Sequence, residues 1–308
     1  MKEINIKYCD GLKPEDDLVF LPLLKKHYKV IFSDHPDYLF YSCFGTEHLR
    51  YDCVKIFTTG ECVTPNFNEC DYATGFDYLN LQDRYLRLPL SHIMYRNGVN
   101  MMDIALKRNA DEIVNEKREF CSFVVSNGNG MPERKEFFEK LSKYKKVDSG
   151  GKFLNNIGGP VENKLEFDKK HKFSICFENE CYPGYTTEKL TEAFAAGCIP
   201  IYYGDPLAGN IFNKKAFINV GDFETLDAAA EAVKKIDNDE SLYYQMLRES
   251  ILTNNEDYLS ELKSFLCHIF NQSLSAARRR PKSQFSKRIE RNSNFADFVY
   301  FKMKKAKS

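Results

Sequence analysis

From residue 121 to residue 236 the sequence alternates between two hydrophobic periods, and this alternation restricts the fold more than any other feature. CSFVVSN, HKFSICFEN and CIPIYYG are short runs rich in β-branched and aromatic residues. PERKEFFEKLSKY, TTEKLTEAFAAG and TLDAAAEAVKKI carry apolar residues at helical spacing. KKVDSGG reads as one more strand, leaving into a glycine loop. Short strands alternating with helices at this interval predict a parallel sheet with helices on both faces. In the first half IKYCD, YKVIF (28–32), YLFYS (38–42) and VKIFT (54–58) read as strands, and residues 10–27 hold a helix in a βαβ unit. Pro65 to Pro89 reads as an irregular, aromatic binding surface, and 102–120 as one helix bridging two domains. The expected fold class is α/β, with two Rossmann-like domains facing a cleft. They span 1–115 and 116–275, and a basic, aromatic tail at 276–308 is expected to be helical.

A chain of 308 residues suits two domains of ordinary size. Lys plus Arg and Asp plus Glu both total 44, so no net field points to a nucleic-acid partner. No apolar run approaches the roughly 18–20 residues of a membrane span, and MKEINIKYCDG lacks the apolar stretch of a secretory signal. The ten cysteines form no CxxC pair and no histidine stands at finger-like spacing, so free thiols in a reducing cytoplasm are expected. Asp237 and Asp239 match the Asp-x-Asp of metal-dependent sugar transferases, but they lie at a helix boundary, where such residues cap. No metal is expected. For the tail, RRRPKSQFSKRIERNSNFADFVYFKMKKAKS, a packed helix with a solvated basic face is the commoner arrangement; weak peripheral contact with a membrane is the alternative.

Within FSICFENECYPGYTTEKLTEAFAAGCIPIYYGDP a strand, a loop and a helix follow one another. Thr186 or Thr187 suits the N-cap, and Leu190, Ala193, Phe194 and Gly197 form a small packed stripe. Glu188 complements the positive end of the helix dipole, whereas Lys189 opposes it. A cation beside free helix amides is explained by an anion lying between them, and phosphate is the usual one. The alternative is a lysine extended into water at a cost of a few tenths of a kcal/mol. Arg134, in SNGNGMPERKEF, is a second cation in a first turn at a strand's carboxyl end. Two such helix mouths would grip a diphosphate from both sides. Neither GxxxxGK[ST] nor GxGxxG is present, so a nucleotide triphosphatase or dehydrogenase has no motif behind it, and a nucleotide-sugar remains.

CFEN, GYTTEK and GCIPIYYGDP, in this order and spacing, resemble the bacterial type of the α-1,3/4-fucosyltransferase family. So do FTTGECVTPNFNECDYATGFD followed by RYLRLPL, FVVSN with Arg134, and SGGKFLNNIGG before the CFEN strand. Together these blocks cover most of 50–220. The resemblance implies the GT-B arrangement, with the donor on the C-terminal domain. It implies inverting, metal-independent transfer of L-fucose from GDP-β-L-fucose to the 3-hydroxyl of N-acetylglucosamine in an N-acetyllactosamine-like glycan, giving a Lewis X-type product.

The resemblance also implies that Arg134 and Lys189 bind the diphosphate and that Glu188 accepts hydrogen bonds from ribose hydroxyls. Tyr185 and Asn179 would contact the donor around phosphate and fucose, and Glu61 would be the general base. Glu61 follows the VKIFT strand, at the sheet edge where ligands bind, and a single displacement needs one carboxylate to take the acceptor proton. Another GDP-sugar, a 1,4 linkage, or a non-catalytic glycan- or nucleotide-binding relative are the alternatives. Bacterial relatives often carry heptad repeats near the C-terminus; residues 240–308 show none, so dimerisation through repeats is not expected.

Overall fold

The computed structural model describes residues 1–96, 98–114 and 119–280 of the chain. The described residues divide into two compact units, 1–88 with 257–280, and 89–256. In the first, six strands form one sheet: β1 (Glu3–Cys9), β2 (Lys29–Phe32), β3 (Tyr38–Tyr41), β4 (Val54–Phe57), β5 (Tyr72–Gly75) and β6 (Tyr85–Arg87), in the order β2-β1-β3-β4-β5-β6. All neighbours pair in parallel. The helix expected within 10–27 is confined to Phe20–His27, because the Asp17 carboxylate accepts the amides of Val19, Phe20 and Leu21 and so sets where it begins.

The second unit opens with a single helical turn, Leu90–Ile93, and a small antiparallel hairpin, β7 (Tyr95–Arg96) and β8 (Val99–Asn100). Its main sheet holds β9 (Glu119–Phe123), β10 (Val147–Ser149), β11 (His171–Phe177), β12 (Ile199–Tyr203) and β13 (Ile218–Asn219), in the parallel order β10-β9-β11-β12-β13. β11 and β12 are buried along nearly their whole length, as strands covered on both faces must be. The helices Glu133–Ser142, Glu188–Ala195 and Leu226–Asn238 were each expected from their apolar spacing. In both sheets the chain runs to one side of its first strand and then crosses to the other. This creates a switch point between β1 and β3, and another between β9 and β11, the positions where such sheets bind ligands.

Three expectations are corrected. Pro65–Pro89 is scaffold as well as loop: it contains β5 and β6, with Tyr72, Ala73, Phe76 and Tyr85 buried. The bridging helix at 102–120 is two short helices, Met101–Leu106 and Ala110–Val114, followed by β9. The Asn109 side chain accepts the Asp111 amide and so starts the second helix, while Arg108 in the break donates to the Leu247 and Glu249 carbonyls. The units also divide at 88/89 and 256/257 rather than at 115/116 and 275/276. The Tyr258–Asn271 helix belongs to the first unit because Phe270 packs on Tyr28, Tyr38 and Phe40. Met101, Met102 and Ala105 belong to the second because they share a core with Leu190, Ala193 and Phe194.

Of the expected tail, 276–280 is seen and 281–308 lies outside the described residues. All ten cysteines are free thiols. No helix among the described residues is long and apolar enough to cross a membrane. Asp239 does cap, accepting the Leu242 amide, whereas Asp237 is held by Lys145 and Lys172.

Asp71 closes the first unit. Fully buried, it accepts the amides of Lys55, Arg279 and Arg280 and pairs with the Arg280 guanidinium at 3.1 Å. Removing one member of a buried pair leaves the other charge uncompensated, so Asp71→Ala is expected to destabilise this unit by about 3–5 kcal/mol. Denaturant unfolding checks this; a change below about 1 kcal/mol would contradict it.

Candidate active site

The carboxyl ends of β9 and β11 flank the switch point of the second sheet, and the side chains that meet there come from three segments. β11 ends at Phe177, and the next residue, Glu178, keeps to the sheet edge by donating its amide to the carbonyl of Tyr203, the last residue of β12. Its side chain is fully buried and packs against Gly204, where a Cβ would lie 2.5 Å from the Glu178 Cγ. The Glu188–Ala195 helix begins beside it with Thr187 as N-cap. Thr187 donates both its amide (2.7 Å) and its hydroxyl (2.7 Å) to the Glu178 carboxylate. Lys189, in the first turn of the same helix, donates from Nζ to Glu178 Oε2 at 2.8 Å and to Thr187 Oγ1 at 3.0 Å.

Lys189 therefore already faces an anion, and that anion is part of the protein. The sequence reading identified a cation needing a negative partner but took the helix amides beside it to be free. In the structure the Thr187 amide is occupied by Glu178, a residue the reading passed over. Burial disfavours the Lys189 ammonium, but Glu178 and Glu188 outweigh it and leave its pKa above the ordinary lysine value. An ammonium has three N–H donors, and among the described residues Glu178 and Thr187 engage two of them, leaving one for a further acceptor.

Arg134 enters from the other mouth. The Glu133–Ser142 helix follows β9, and Arg134 stands in its first turn as expected. Its guanidinium, only 1% exposed, donates to the carbonyls of Asn127, Phe177 and Glu178 and to Asn179 Oδ1. Arg134 thus bolts the carboxyl end of β11 while bringing its charge to the switch point, and burial lowers its pKa against the pull of Glu178 and Tyr185. Close approach requires Gly130, where a Cβ would lie 2.4 Å from Nη1.

Of the remaining sequence-derived candidates, Asn179 is brought into this cluster through Arg134. Tyr185 is buried at 2% exposure, and its carbonyl accepts from the Tyr202 hydroxyl. Glu188 lies beside Lys189, with its carboxylate 3.8 Å from Arg96. The loop that carries Tyr185 is pinned by Asp205, another residue missed in the sequence, which accepts from the Gly184 amide, the Thr186 hydroxyl and the Leu207 amide. Glu178 and Asp205 each follow a buried strand within two residues, and that position was the one signal that could have marked them.

Glu61 belongs to the first unit. It is exposed on the loop after β4, at the carboxyl edge of the sheet, where its amide donates to Thr59 Oγ1 at 3.2 Å. Thr59 is itself buried and sits 3.3 Å from the Cys43 thiol, so the backbone below Glu61 is anchored while its carboxylate stays in solvent.

Two Rossmann-like units built on open parallel sheets are the GT-B class of fold. The chain belongs to glycosyltransferase family 10, the fucosyltransferases: the family's C-terminal model matches residues 114–289, and the model of the alpha-(1,3)-fucosyltransferase FucT N-terminal domain matches residues 5–95. It is 36% identical over 278 residues to alpha-(1,3)-fucosyltransferase FucT of Helicobacter pylori, covering 79% of this chain and 58% of that relative. The chain thus spans little more than half the length of that curated relative. A crystal structure of an alpha1,3-fucosyltransferase superposes with a TM-score of 0.78 at 28% identity, covering 92% of this chain and 93% of the other. One of an alpha1,3-fucosyltransferase with GDP-fucose superposes with a TM-score of 0.73 at 29% identity, covering 89% and 92%.

Asp205→Ala would strip three donors of their acceptor in a buried loop, and each such group costs about 1–3 kcal/mol. The variant is expected to unfold at lower denaturant and to be cleaved faster by protease in the 182–187 loop. An unchanged unfolding midpoint would show that water replaces the carboxylate.

Proposed function

We propose that the chain is an inverting α-1,3-fucosyltransferase that moves L-fucose from GDP-β-L-fucose to the 3-hydroxyl of N-acetylglucosamine in a β-galactoside-containing glycan. The observation that carries this reading is the pair of cations, half-buried Lys189 and buried Arg134, joined through Glu178 at the switch point of the second sheet. Membership of the fucosyltransferase family supports the choice of sugar, and a related structure is described as containing GDP-fucose.

In this reading the free N–H of Lys189 goes to a diphosphate oxygen. Arg134 adds its charge and reaches the diphosphate by exchanging Asn179 Oδ1, which shares Nη2 with two carbonyls, for a phosphate oxygen. Tyr185 lines the donor side of the loop, and Glu188 accepts from the ribose hydroxyls. Glu61 takes the proton of the acceptor hydroxyl as that oxygen bonds to the anomeric carbon, and the bond from this carbon to the diphosphate breaks on the opposite face. The β-linked donor therefore gives an α-linked product. Negative charge grows on the departing GDP, so the two cations bind the transition state more strongly than the ground state. They supply positive charge of the kind a metal would bring, and the reaction is proposed to need none.

Glu61→Gln is expected to lower kcat by about 10²–10⁴-fold, the usual share of a general base, with GDP affinity within about two-fold of the wild type. Transfer by Glu61→Gln at the wild-type rate would remove Glu61 from this role. Lys189→Ala should lower kcat/KM for GDP-fucose by about 10²–10³-fold, as removal of a charge-stabilising donor does, and unchanged kinetics would sink the diphosphate assignment. Excess EDTA should leave the rate unaltered; a loss restored by Mg²⁺ or Mn²⁺ would overturn metal independence. Product linkage after incubation with a panel of lactosamine isomers separates 1,3 from 1,4 transfer.

A further inference from the structure

We infer that Glu178 is a positioning residue for the donor: its buried carboxylate holds the Lys189 ammonium at the helix mouth in the one orientation that leaves a donor free for the diphosphate. The inference rests on the reading that Lys189 binds that diphosphate.

The geometry is restrictive. A lysine in a first turn is repelled by the positive end of the helix and, with four rotatable bonds, would ordinarily extend into water. Here the side chain is only 20% exposed and is turned back along its own helix end by two acceptors, Glu178 Oε2 and Thr187 Oγ1. Thr187 is in turn fixed by donating its amide and its hydroxyl to the same carboxylate. Glu178 cannot relax toward β12 because Gly204 closes that side, and its own carbonyl is tied to Arg134. One carboxylate therefore organises the helix cap and the ammonium, on the residue whose backbone carbonyl holds Arg134.

The charged and titratable groups around it are few. Lys189 and Glu188 lie on the helix, Arg134 on the helix after β9, Cys176 on β11 and Tyr202 on β12. Among the described residues, only Glu178 is hydrogen-bonded to Lys189 as a counter-charge. Without it, burial and Arg134 both disfavour the ammonium, with Glu188 alone opposing them. Glu178→Gln keeps the volume and an acceptor for the Thr187 amide but removes that counter-charge.

The test compares Glu178→Gln, Lys189→Met and the double variant for KM of GDP-fucose, kcat and the pH dependence of KM. Loss of a hydrogen bond between charged groups predicts a rise in KM of about ten- to a hundred-fold in Glu178→Gln. It also predicts that KM begins to climb at a lower pH than in the wild type, because Lys189 loses its proton more readily. In the Lys189→Met background the further change Glu178→Gln should alter KM by less than about two-fold, since nothing is left for it to position. Wild-type KM and pH profile in Glu178→Gln would overturn the proposal, as would an equal loss with and without Lys189. Should Glu178→Gln alone not fold, the double variant carries the test. KM equal to that of Lys189→Met supports positioning, and a further ten-fold rise contradicts it. If Lys189→Met alone leaves KM unchanged, the diphosphate reading itself has failed, and this result is distinct from the others.

Discussion

A carboxylate cannot be taken out of water unless donors surround it, and the donors that surround Glu178 determine the shape of the second unit's binding edge. Thr187 gives it the helix cap, and Lys189 gives it a counter-ion. Arg134 ties the adjoining backbone to the next helix. Each of these contacts would be weak or costly alone. A lysine opposes the helix dipole, an arginine at 1% exposure loses its hydration, and a glutamate at the end of a buried strand is stranded without partners. Together they compensate one another and concentrate two positive charges where the strand order reverses. Charge concentrated in this way suits the binding of an anion.

The first sheet treats its own switch point differently. Asp10, just after β1, accepts the amides of Glu47 and His48 and the His48 ring, and Glu69 faces the other ring nitrogen at 3.3 Å. Burial disfavours the imidazolium, but the two carboxylates outweigh it and raise the His48 pKa. His48 stacks on Tyr41, and a Cβ at Gly45 would lie 2.2 Å from Asp10. That crevice is filled by the protein's own ion network. Glu61, on the loop after β4, is an exposed acid at this edge, with its backbone held by Thr59. One sheet thus presents a buried and a half-buried cation, and the other an exposed carboxylate.

Long buried strands were legible because their composition is nearly continuous: HKFSICFEN and CIPIYYG became β11 and β12 with only their ends trimmed. β5 and β6 were not, since YATG and YLR are too short to show a period and sit among turn residues. Residues 102–120 do carry helical spacing, yet Asn109 caps a new helix inside it, and a local hydrogen bond of this kind overrides a periodic pattern. Lys189 was visible as an anomaly, but its partner lies 11 residues upstream in a position that looks like an ordinary strand-end acid. Only the packing of Gly204 and Thr187 around Glu178 makes it buried, and that packing is tertiary. Arg134 was placed correctly at its helix mouth, whereas its commitment to three carbonyls could not be read from spacing. Glu61 was reachable through family resemblance alone.

The central claim is that the second unit's two cations recognise a diphosphate. Isothermal titration of GDP and of guanosine into the protein tests it most directly. If Lys189 and Arg134 grip the diphosphate, GDP should bind at least about 10²-fold more tightly than guanosine, the yield of two charge-assisted contacts, and the gap should narrow as salt is raised. Equal affinities for the two ligands, at any salt concentration, would contradict the account.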